Sequence, residues 1–244
     1  LLMMTILILI KSFDSSYSQS GYVPIELVSV STNYTQGNQE STSSDISANG
    51  RYIIFTSYAN NLVPNDTNNN TDIFIRDRWA GTTELVLVGL NGTQANSGIY
   101  GFDVSDDGRY IAFNSDATNI ISNTPTDNCS NVSGDTYFCG GTFVHDHDTG
   151  ETIMVSVSSN GDIANNTQEG VAISGDGRYV MFHSRADNLV PNDTVICPDL
   201  ANENCLDVFV HDTINHTTKI ISVASDGSHA NHISMIGSFS DDGR

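Results

Sequence analysis

The chain of 244 residues is long enough to form one large domain or two smaller ones. Nine Lys and Arg residues stand against 29 Asp and Glu residues, which gives a formal net charge of −20 at pH 7. Because so acidic a surface repels phosphates and anionic lipids, we expect neither nucleic acid nor a membrane surface among the partners.

The first twenty residues predict a secretory signal peptide. Residues 1–10, LLMMTILILI, are apolar apart from Thr5 but too few to span a bilayer as a helix. The polar stretch behind them ends in SQS at 18–20, where small residues have the spacing that a signal peptidase requires. We therefore assign residues 1–20 to a partial signal peptide and residues 21–244 to the folded domain, without a further membrane span. A buried N-terminal strand and an uncleaved membrane anchor are the alternatives.

A repeated phrase organises the rest of the chain. It reads SANGRYIIF at 47–55, SDDGRYIAF at 105–113, SGDGRYVMF at 174–182 and SDDGR at 240–244. Its glycines, Gly50, Gly108, Gly177 and Gly243, are spaced by 58, 69 and 66 residues. The asparagines that close TQGN, TQAN, DIAN and SHAN keep the same three spacings. Two markers that stay in step across four copies indicate an internal repeat.

Each repeat predicts four short β-strands, because its apolar runs are rich in β-branched and aromatic residues and are separated by turn residues. The first strand is expected at 99–104, 171–173 and 236–239, and the second at 52–55, 110–113 and 179–182. The third begins at Asp72, Gly141 and Asp207, and the fourth at Glu84, Ile153 and Lys219. Four antiparallel strands at this period are typical of a β-propeller blade.

The Asp-Gly turn between the first two strands predicts a structural role. Its glycine supplies the positive φ of a tight hairpin, and the preceding Asn49, Asp107 or Asp176 bonds back to the backbone. The next residues, Arg51, Arg109 and Arg178, are expected to pair with Asp77, Asp146 and Asp212 at the ends of the third strands. A catalytic group repeated in every blade would not form one convergent site, so the motif indicates a scaffold.

The phrases SDDGRYIAF, NLVPNDTNNNTDIFIRD and VSVSSNGDIAN resemble the TolB-like, WD-like propeller repeats of exported bacterial and archaeal proteins. The resemblance covers residues 25–244 and implies an all-β propeller of four-stranded antiparallel blades, of which about three and a half are present. Since a ring needs roughly four to eight blades, we expect an open arc that is the first part of a longer protein. The resemblance implies a scaffold and specifies no ligand.

The four cysteines predict two local disulfides. Cys129 and Cys139 enclose nine residues, and Cys197 and Cys205 enclose seven. Each pair lies within one loop between a second and a third strand, so the bridges 129–139 and 197–205 are the simplest of three connectivities. Bridged loops indicate an oxidising compartment, and the absence of a CxxC spacing argues against zinc. Nine glycosylation triplets give weaker support for export: Asn33, Asn65, Asn69, Asn91, Asn128, Asn131, Asn165, Asn192 and Asn215.

The loop DTNNNTD at 66–72 carries oxygen ligands at alternate positions: Asp66, Asn68, Asn70 and Asp72. Alternating carboxylate and amide oxygens resemble the start of a calcium loop, and calcium is the one cofactor that the sequence suggests. However, Thr71 stands where such a loop needs glycine, and the twelfth position, Asp77, is expected beyond a strand. An Asx-turn loop is therefore the favoured interpretation, with a calcium site as the alternative.

Other chemistry-bearing residues have structural interpretations. HDHDTG at 145–150 has metal-ligand residue types, but His145 occupies the repeat position of Arg76 and His211, so we expect an ordinary substitution at an exposed strand position. The sequence has no GxSxG elbow and no glycine-rich phosphate loop. Trp79, the single tryptophan, is expected in a surface turn, with carbohydrate stacking as the alternative.

These features predict an exported, non-enzymatic propeller scaffold at the cell surface or in the periplasm. We expect it to bind a protein or a glycan on a loop face or in the central channel of the ring. The alternative is a propeller that supports a hydrolase or peptidase domain located beyond residue 244.

Overall fold

The computed structural model describes residues 7–9, 25–86, 88–122, 129–130, 136–137, 140–166, 168–193 and 205–240. Within these ranges all regular elements are β-strands, and none of the residues belongs to a helix that could cross a membrane. The chain divides into two compact units, which comprise residues 1–86 and residues 87–244.

The first unit contains a strand pair and a four-stranded sheet. Strands β1 (Leu7–Leu9) and β2 (Ile25–Leu27) pair antiparallel. The sheet, called the first blade, consists in spatial order of β3 (Ser41–Ile46), β4 (Tyr52–Ser57), β5 (Asp72–Asp77) and β6 (Thr82–Leu85). Because β1 is all that is described of residues 1–20, the signal peptide stays a prediction.

The second unit contains two further sheets of the same kind. The second blade and its inserted loop comprise β7 (Ile99–Val104), β8 (Tyr110–Ser115), β9 (Cys129–Ser130), β10 (Thr136–Tyr137), β11 (Gly141–Asp146) and β12 (Glu151–Met154). The third blade comprises β13 (Gln168–Ile173), β14 (Tyr179–Ser184), β15 (Asp207–Asp212) and β16 (Thr217–Ile220). Both blades are antiparallel in the orders β7-β8-β11-β12 and β13-β14-β15-β16, whereas β9 pairs with β10 alone. The prediction of four-stranded antiparallel blades is confirmed.

The strand bounds differ from the predictions mainly in the fourth strands. The third strands have their predicted bounds, but the fourth strands begin two residues earlier than expected, at Thr82, Glu151 and Thr217. The reason is the tight turn, which places Thr82 directly opposite Asp77. The valine-rich residues after each fourth strand leave the sheet and form a small hairpin, as in the bridge between Val157 and Ile163.

Two first strands also differ from the sequence predictions. The polar run STSSDI of β3 has no apolar alternation and predicts no strand, yet it pairs through hydroxyl contacts with β4. Ser41 Oγ lies 3.0 Å from Ser57 Oγ, and Thr42 Oγ1 lies 2.9 Å from Thr56 Oγ1. Residues 236–239 form no strand, although Ile236 and Phe239 pack against the third blade.

The core of each blade contains one stacked pair of buried phenylalanines, from the second and third strands. The pairs and their ring-centroid distances are Phe55–Phe74 at 5.6 Å, Phe113–Phe143 at 5.4 Å and Phe182–Phe209 at 5.8 Å. Each pair stands in direct cross-strand register, so burial and stacking both act on the same pairing of strands.

The Asp-Gly turn has the predicted geometry, with φ of 71°, 81° and 74° at Gly50, Gly108 and Gly177. In the second blade, Ser105 Oγ donates to Asp107 Oδ1 at 2.7 Å and accepts the backbone N–H of Tyr110 at 2.9 Å. The other two blades repeat both bonds. The Ser, the Asp or Asn and the Gly of the phrase therefore recur because the turn uses the first two for its hydrogen bonds and the glycine for its positive φ.

The repeated asparagine of the second sequence marker fixes a loop. The backbone N–H of Asn96 donates to Asn119 Oδ1 at 2.9 Å. The side-chain Oδ1 of Asn96 accepts the backbone N–H of Thr118 at 2.9 Å. Asn119 Nδ2 in turn donates to the carbonyl of Gln94 at 2.8 Å. Asn165 makes the same contacts in the third blade, which explains why this residue keeps step with the turn glycine.

The second and third blades pack on each other within the second unit. Val171 and Ile173 of β13 join Ala112 and Val144 of the second blade in one buried apolar cluster. The backbone N–H of Asp106 donates to the carbonyl of Gly175 at 2.9 Å, which joins the two turns. A Cβ added to Gly177 would lie 2.2 Å from the ring of Tyr110, so this glycine is needed for blade contact as well as for φ.

We expect Gly177→Ala to destabilise the protein more than Gly150→Ala. Both glycines have φ of 74°, but a Cβ at Gly150 meets no atom within 4 Å. The left-handed backbone costs each alanine about 1–2 kcal/mol, and the clash with Tyr110 adds about 1–3 kcal/mol for Gly177 alone. Urea unfolding of both variants measures the difference. Equal losses would contradict the close packing of the two blades.

Candidate functional site

The predicted arginine–aspartate pairs are present in all three blades. The shortest N–O distances are 2.6 Å for Arg51–Asp77, 2.7 Å for Arg109–Asp146 and 2.7 Å for Arg178–Asp212. Each guanidinium also lies over the ring of the following tyrosine, at 4.6–4.9 Å from its centroid. Each pair therefore fastens the turn after the first strand to the end of the third strand.

The aspartates of these pairs hold a second turn as well. Asp77 Oδ1 accepts the backbone N–H groups of Trp79 at 2.8 Å and Ala80 at 3.0 Å, in the turn between β5 and β6. The bonds from Arg109 lower the pKa of Asp146 to about 2, and Arg178 likewise lowers the pKa of Asp212. These carboxylates stay ionised at neutral pH as parts of the fold, and the geometry gives them no proton-transfer role.

His145 is buried, so the prediction of an exposed strand position is wrong. It is 3% exposed, and its Nδ1 lies 2.9 Å from Thr152 Oγ1 on the neighbouring fourth strand. Thr152 Oγ1 donates its one proton to the carbonyl of Val88 at 3.2 Å, so the histidine must supply the N–H. The side chain points back into its own blade and is a donor in a three-membered chain.

The other two blades contain the same donor–threonine–carbonyl chain. His211 Nδ1 lies 2.9 Å from Thr218 Oγ1, which donates to the carbonyl of Val157. In the first blade, Arg76 Nη1 donates to Thr83 Oγ1 at 3.0 Å, and Thr83 donates to the carbonyl of Val30 at 2.5 Å. Arginine and histidine exchange at this position because each presents an N–H. In each of the three blades, these hydrogen bonds connect the fourth strand to the hairpin segment that precedes the blade.

The loop at 66–72 contains an Asx turn and one buried carboxylate. Asn68 Oδ1 accepts the backbone N–H of Asn70 at 3.0 Å, and Asn68 Nδ2 donates to Asp72 Oδ1 at 3.0 Å. Asp72 is 2% exposed, and its Oδ2 has no hydrogen-bond partner among the described residues. Burial raises the pKa of Asp72 to about 6, and the charge of Asp66 acts in the same direction.

The third blade repeats this pair of acidic residues at Asp193 and Asp207. Ser222 Oγ donates to Asp207 Oδ1 at 2.6 Å, and His229 Nδ1 lies 3.3 Å from Asp193 Oδ1. Burial raises the pKa of both carboxyl groups. The shared NDT phrase is visible in the sequence, but its pairing with a second buried carboxyl at Asp207 was not predicted. Over the described ranges, no three His, Cys, Asp or Glu side chains are arranged to hold a metal ion.

The predicted disulfides stay predictions. Cys139 and Cys197 lie outside the described residues, and of Cys129 the backbone alone is described, as part of β9. Cys205 is buried two residues before the start of β15.

A cleft of about 250 Å³ lies between the second and third blades. Its polar lining includes Asp146, Asp176 and Arg178, all of which are bonded within the turns described above. Small-molecule sites usually enclose about 300–1,000 Å³. The cleft falls below that range, and we assign it no ligand.

The first blade departs from the repeat at two exposed aromatic residues. Tyr34 takes the turn position at which the later repeats have Gly92, Gly161 and Gly227, and it adopts the same left-handed backbone, with φ of 61°. That backbone costs a side chain about 1–2 kcal/mol. Tyr34 is 70% exposed and Trp79 is 69% exposed, so neither ring fills the core. The prediction that Trp79 lies in a surface turn is confirmed.

Neither a protein-family model nor a curated protein matches the sequence. Among solved structures, TolB from Acinetobacter baumannii overlaps 87% of this chain and 37% of its own length, at 14% identity and a TM-score of 0.44. Putative TolB from Agrobacterium tumefaciens overlaps 84% and 53%, at 14% identity and a TM-score of 0.45. The β-propeller domain of the trilobed protease from Pyrococcus furiosus overlaps 74% and 43%, at 10% identity and a TM-score of 0.41.

The chain thus spans 37% and 53% of the lengths of the two TolB structures. These structures are of the class that the repeated phrases resemble.

Replacing His145 and His211 together by Asn is expected to reduce the loss of stability between pH 6.5 and 4.5. Burial lowers the pKa of both histidines to about 4, whereas the unfolded chain titrates near 6.5. The unfolded state therefore binds protons first, and stability falls as the pH drops through this window. Asparagine keeps an N–H donor that does not titrate. Thermal midpoints at pH 7.0 and 4.5 measure the effect.

The control for this pair is His232→Asn, at an exposed histidine, which should keep the wild-type pH dependence. Wild-type pH dependence in the double variant would contradict the buried donor role of the two histidines.

Asp72→Asn is expected to be more stable than wild type at pH 8, with a smaller difference at pH 5. A carboxyl whose folded-state pKa is raised to about 6 lowers stability as the pH rises through that value, and asparagine removes this effect. Thermal unfolding at both pH values, in EDTA and in millimolar calcium, measures it. Asp207→Asn, at the corresponding carboxyl of the third blade whose pKa burial also raises, should change stability with the same sign.

We expect calcium to leave these midpoints unchanged, because Asn68 directs an N–H, and not an oxygen, at Asp72. A rise in the wild-type midpoint with calcium that Asp72→Asn abolishes would instead establish the loop as a calcium site.

Proposed function

We propose that the protein is an exported, non-enzymatic β-propeller scaffold that binds a protein or glycan partner at the cell surface or in the periplasm. The observation that carries this proposal is that the repeated polar residues make structural contacts, whereas the exposed turn residues differ between blades. The repeated polar groups form hydrogen bonds and ion pairs that hold turns, loops and neighbouring strands together, as in the Arg109–Asp146 ion pair and the hydrogen bond between Asn96 and Asn119.

The exposed tips of the blades, in contrast, differ from one repeat to the next. The same turn position is occupied by Trp79, Asp148 and Ile214 in the three blades, and all three are exposed. Loops on a rigid scaffold are where binding residues concentrate. A constant frame with variable tips therefore supports recognition as the function.

Export is supported by the sequence alone. The apolar segment at 1–10 and the two cysteine pairs are both typical of a protein that enters an oxidising compartment. The bridges 129–139 and 197–205 would each restrain a long loop between a second and a third strand.

Fractionation of the source organism, followed by non-reducing peptide mapping, tests export. We expect the protein in an exported fraction, with an N-terminus after Ser20 and both disulfides formed, because disulfides form and persist in an oxidising compartment. Recovery from the cytosol with four reduced thiols would contradict the proposal.

The competing function, a propeller that supports a hydrolase domain beyond residue 244, is tested on the full-length gene product. A fluorophosphonate probe labels an activated serine, and the scaffold proposal predicts no labelling. A labelled serine would favour the hydrolase alternative and would leave the export result unaffected.

A further inference from the structure

We propose that Tyr34 and Trp79 form a saccharide-binding platform at the turn between β5 and β6 of the first blade. This inference rests on the proposed function, and it names the site and the ligand class. Trp79 is the second residue after β5, and the hydroxyl of Tyr34 lies 2.9 Å from where a Cβ on Gly81 would stand. Both aromatic side chains therefore lie at one turn of four residues.

Each ring is supported on one side by an arginine. The guanidinium carbon of Arg51 lies 5.2 Å from the ring of Trp79, and that of Arg76 lies 5.0 Å from the ring of Tyr34. Arg76 is itself buried and is held by the carbonyl of Gly81 at 2.9 Å. Since Tyr34 and Trp79 are both more than two thirds exposed, each presents surface to solvent beside its arginine.

Tyr34 keeps an unfavourable backbone that the later repeats avoid with glycine. The turn is the same one that the later repeats form. The backbone N–H of Tyr34 donates to the carbonyl of Ser31 at 2.8 Å, as the N–H of Gly92 donates to the carbonyl of Gly89 at 3.0 Å. A strained residue that contributes little to the core points to a role at the surface. What tyrosine adds at this strained backbone position is an exposed aromatic side chain.

The surroundings of the rings favour a sugar over other ligands. A pyranose has an apolar C–H face that stacks on an aromatic ring and hydroxyl groups that bond to polar neighbours. The exposed neighbours of Tyr34 in sequence, Asn33 and Thr35, are polar. A protein interface would need a larger apolar patch, and a cationic ligand would meet the guanidinium groups of Arg51 and Arg76.

Trp79 provides a direct readout because the chain contains a single tryptophan. The experiment titrates the full chain with a chito-oligosaccharide, a cello-oligosaccharide and an oligogalacturonate, and follows the intrinsic tryptophan emission. We expect saturable quenching or a blue shift with at least one of them, because stacking removes water from the indole.

Tyr34→Gly restores the residue of the other repeats, so it should fold, and we expect it to weaken binding at least tenfold. Tyr58→Ala, at another exposed tyrosine of the same unit, is the matched control and should bind as wild type. Tyr34→Gly with wild-type affinity, or no change in emission with any of the three saccharides, would overturn the proposal.

Three further outcomes separate this site from the proposed function. If Trp79→Ala, which has no tryptophan emission and is titrated by calorimetry instead, no longer binds the saccharide but is still exported with both disulfides, the scaffold and the platform both stand. If the wild-type chain binds its native cell envelope and Trp79→Ala binds it equally well, the scaffold stands and the platform is wrong. Capture of a protein that requires Trp79, in the absence of saccharide binding, would also overturn the assignment to a sugar.

Discussion

The fold depends on a carboxylate at the end of each third strand that holds two turns at once. In the third blade, Asp212 receives the guanidinium of Arg178 at 2.7 Å and the backbone N–H of Ile214 at 3.0 Å. The first contact fixes the turn between the first two strands, and the second fixes the turn between the last two. Because both turns lie at the same end of the sheet, one side chain aligns both hairpins, and the register of the four strands follows.

The donor–threonine–carbonyl chain shows which changes this frame tolerates. Its requirement is an N–H directed at a threonine hydroxyl, which a neutral histidine and an arginine both satisfy. The exchange has a local consequence, since the charged Arg76 of the first blade lies against the ring of Tyr34, where the other blades have glycine. Departures from the repeat are therefore linked to one another, and in the first blade they bring aromatic surface to the exterior.

The strongest repeated motifs could be placed correctly from the sequence. The bounds of β5, β11 and β15 and the three arginine–aspartate pairs were predictable, because a motif that recurs in step must occupy the same place in every blade. Sequence reasoning failed for β3, whose serines and threonines are stabilised by hydroxyl contacts across the sheet rather than by apolar alternation. It also failed for His145, because burial depends on what covers a strand and not on the residue type.

The sequence by itself therefore determined the number of strands in a repeat, the turn chemistry and the acidic character of the surface, all of which follow from residue type and short-range spacing. The tertiary structure alone decided how individual side chains are used. The buried orphan oxygen of Asp72 depends on how its loop packs, and the meeting of Tyr34 with Gly81 joins residues far apart along the chain. Such contacts are set by how the hairpin segment folds over the blade, and no local pattern encodes that packing.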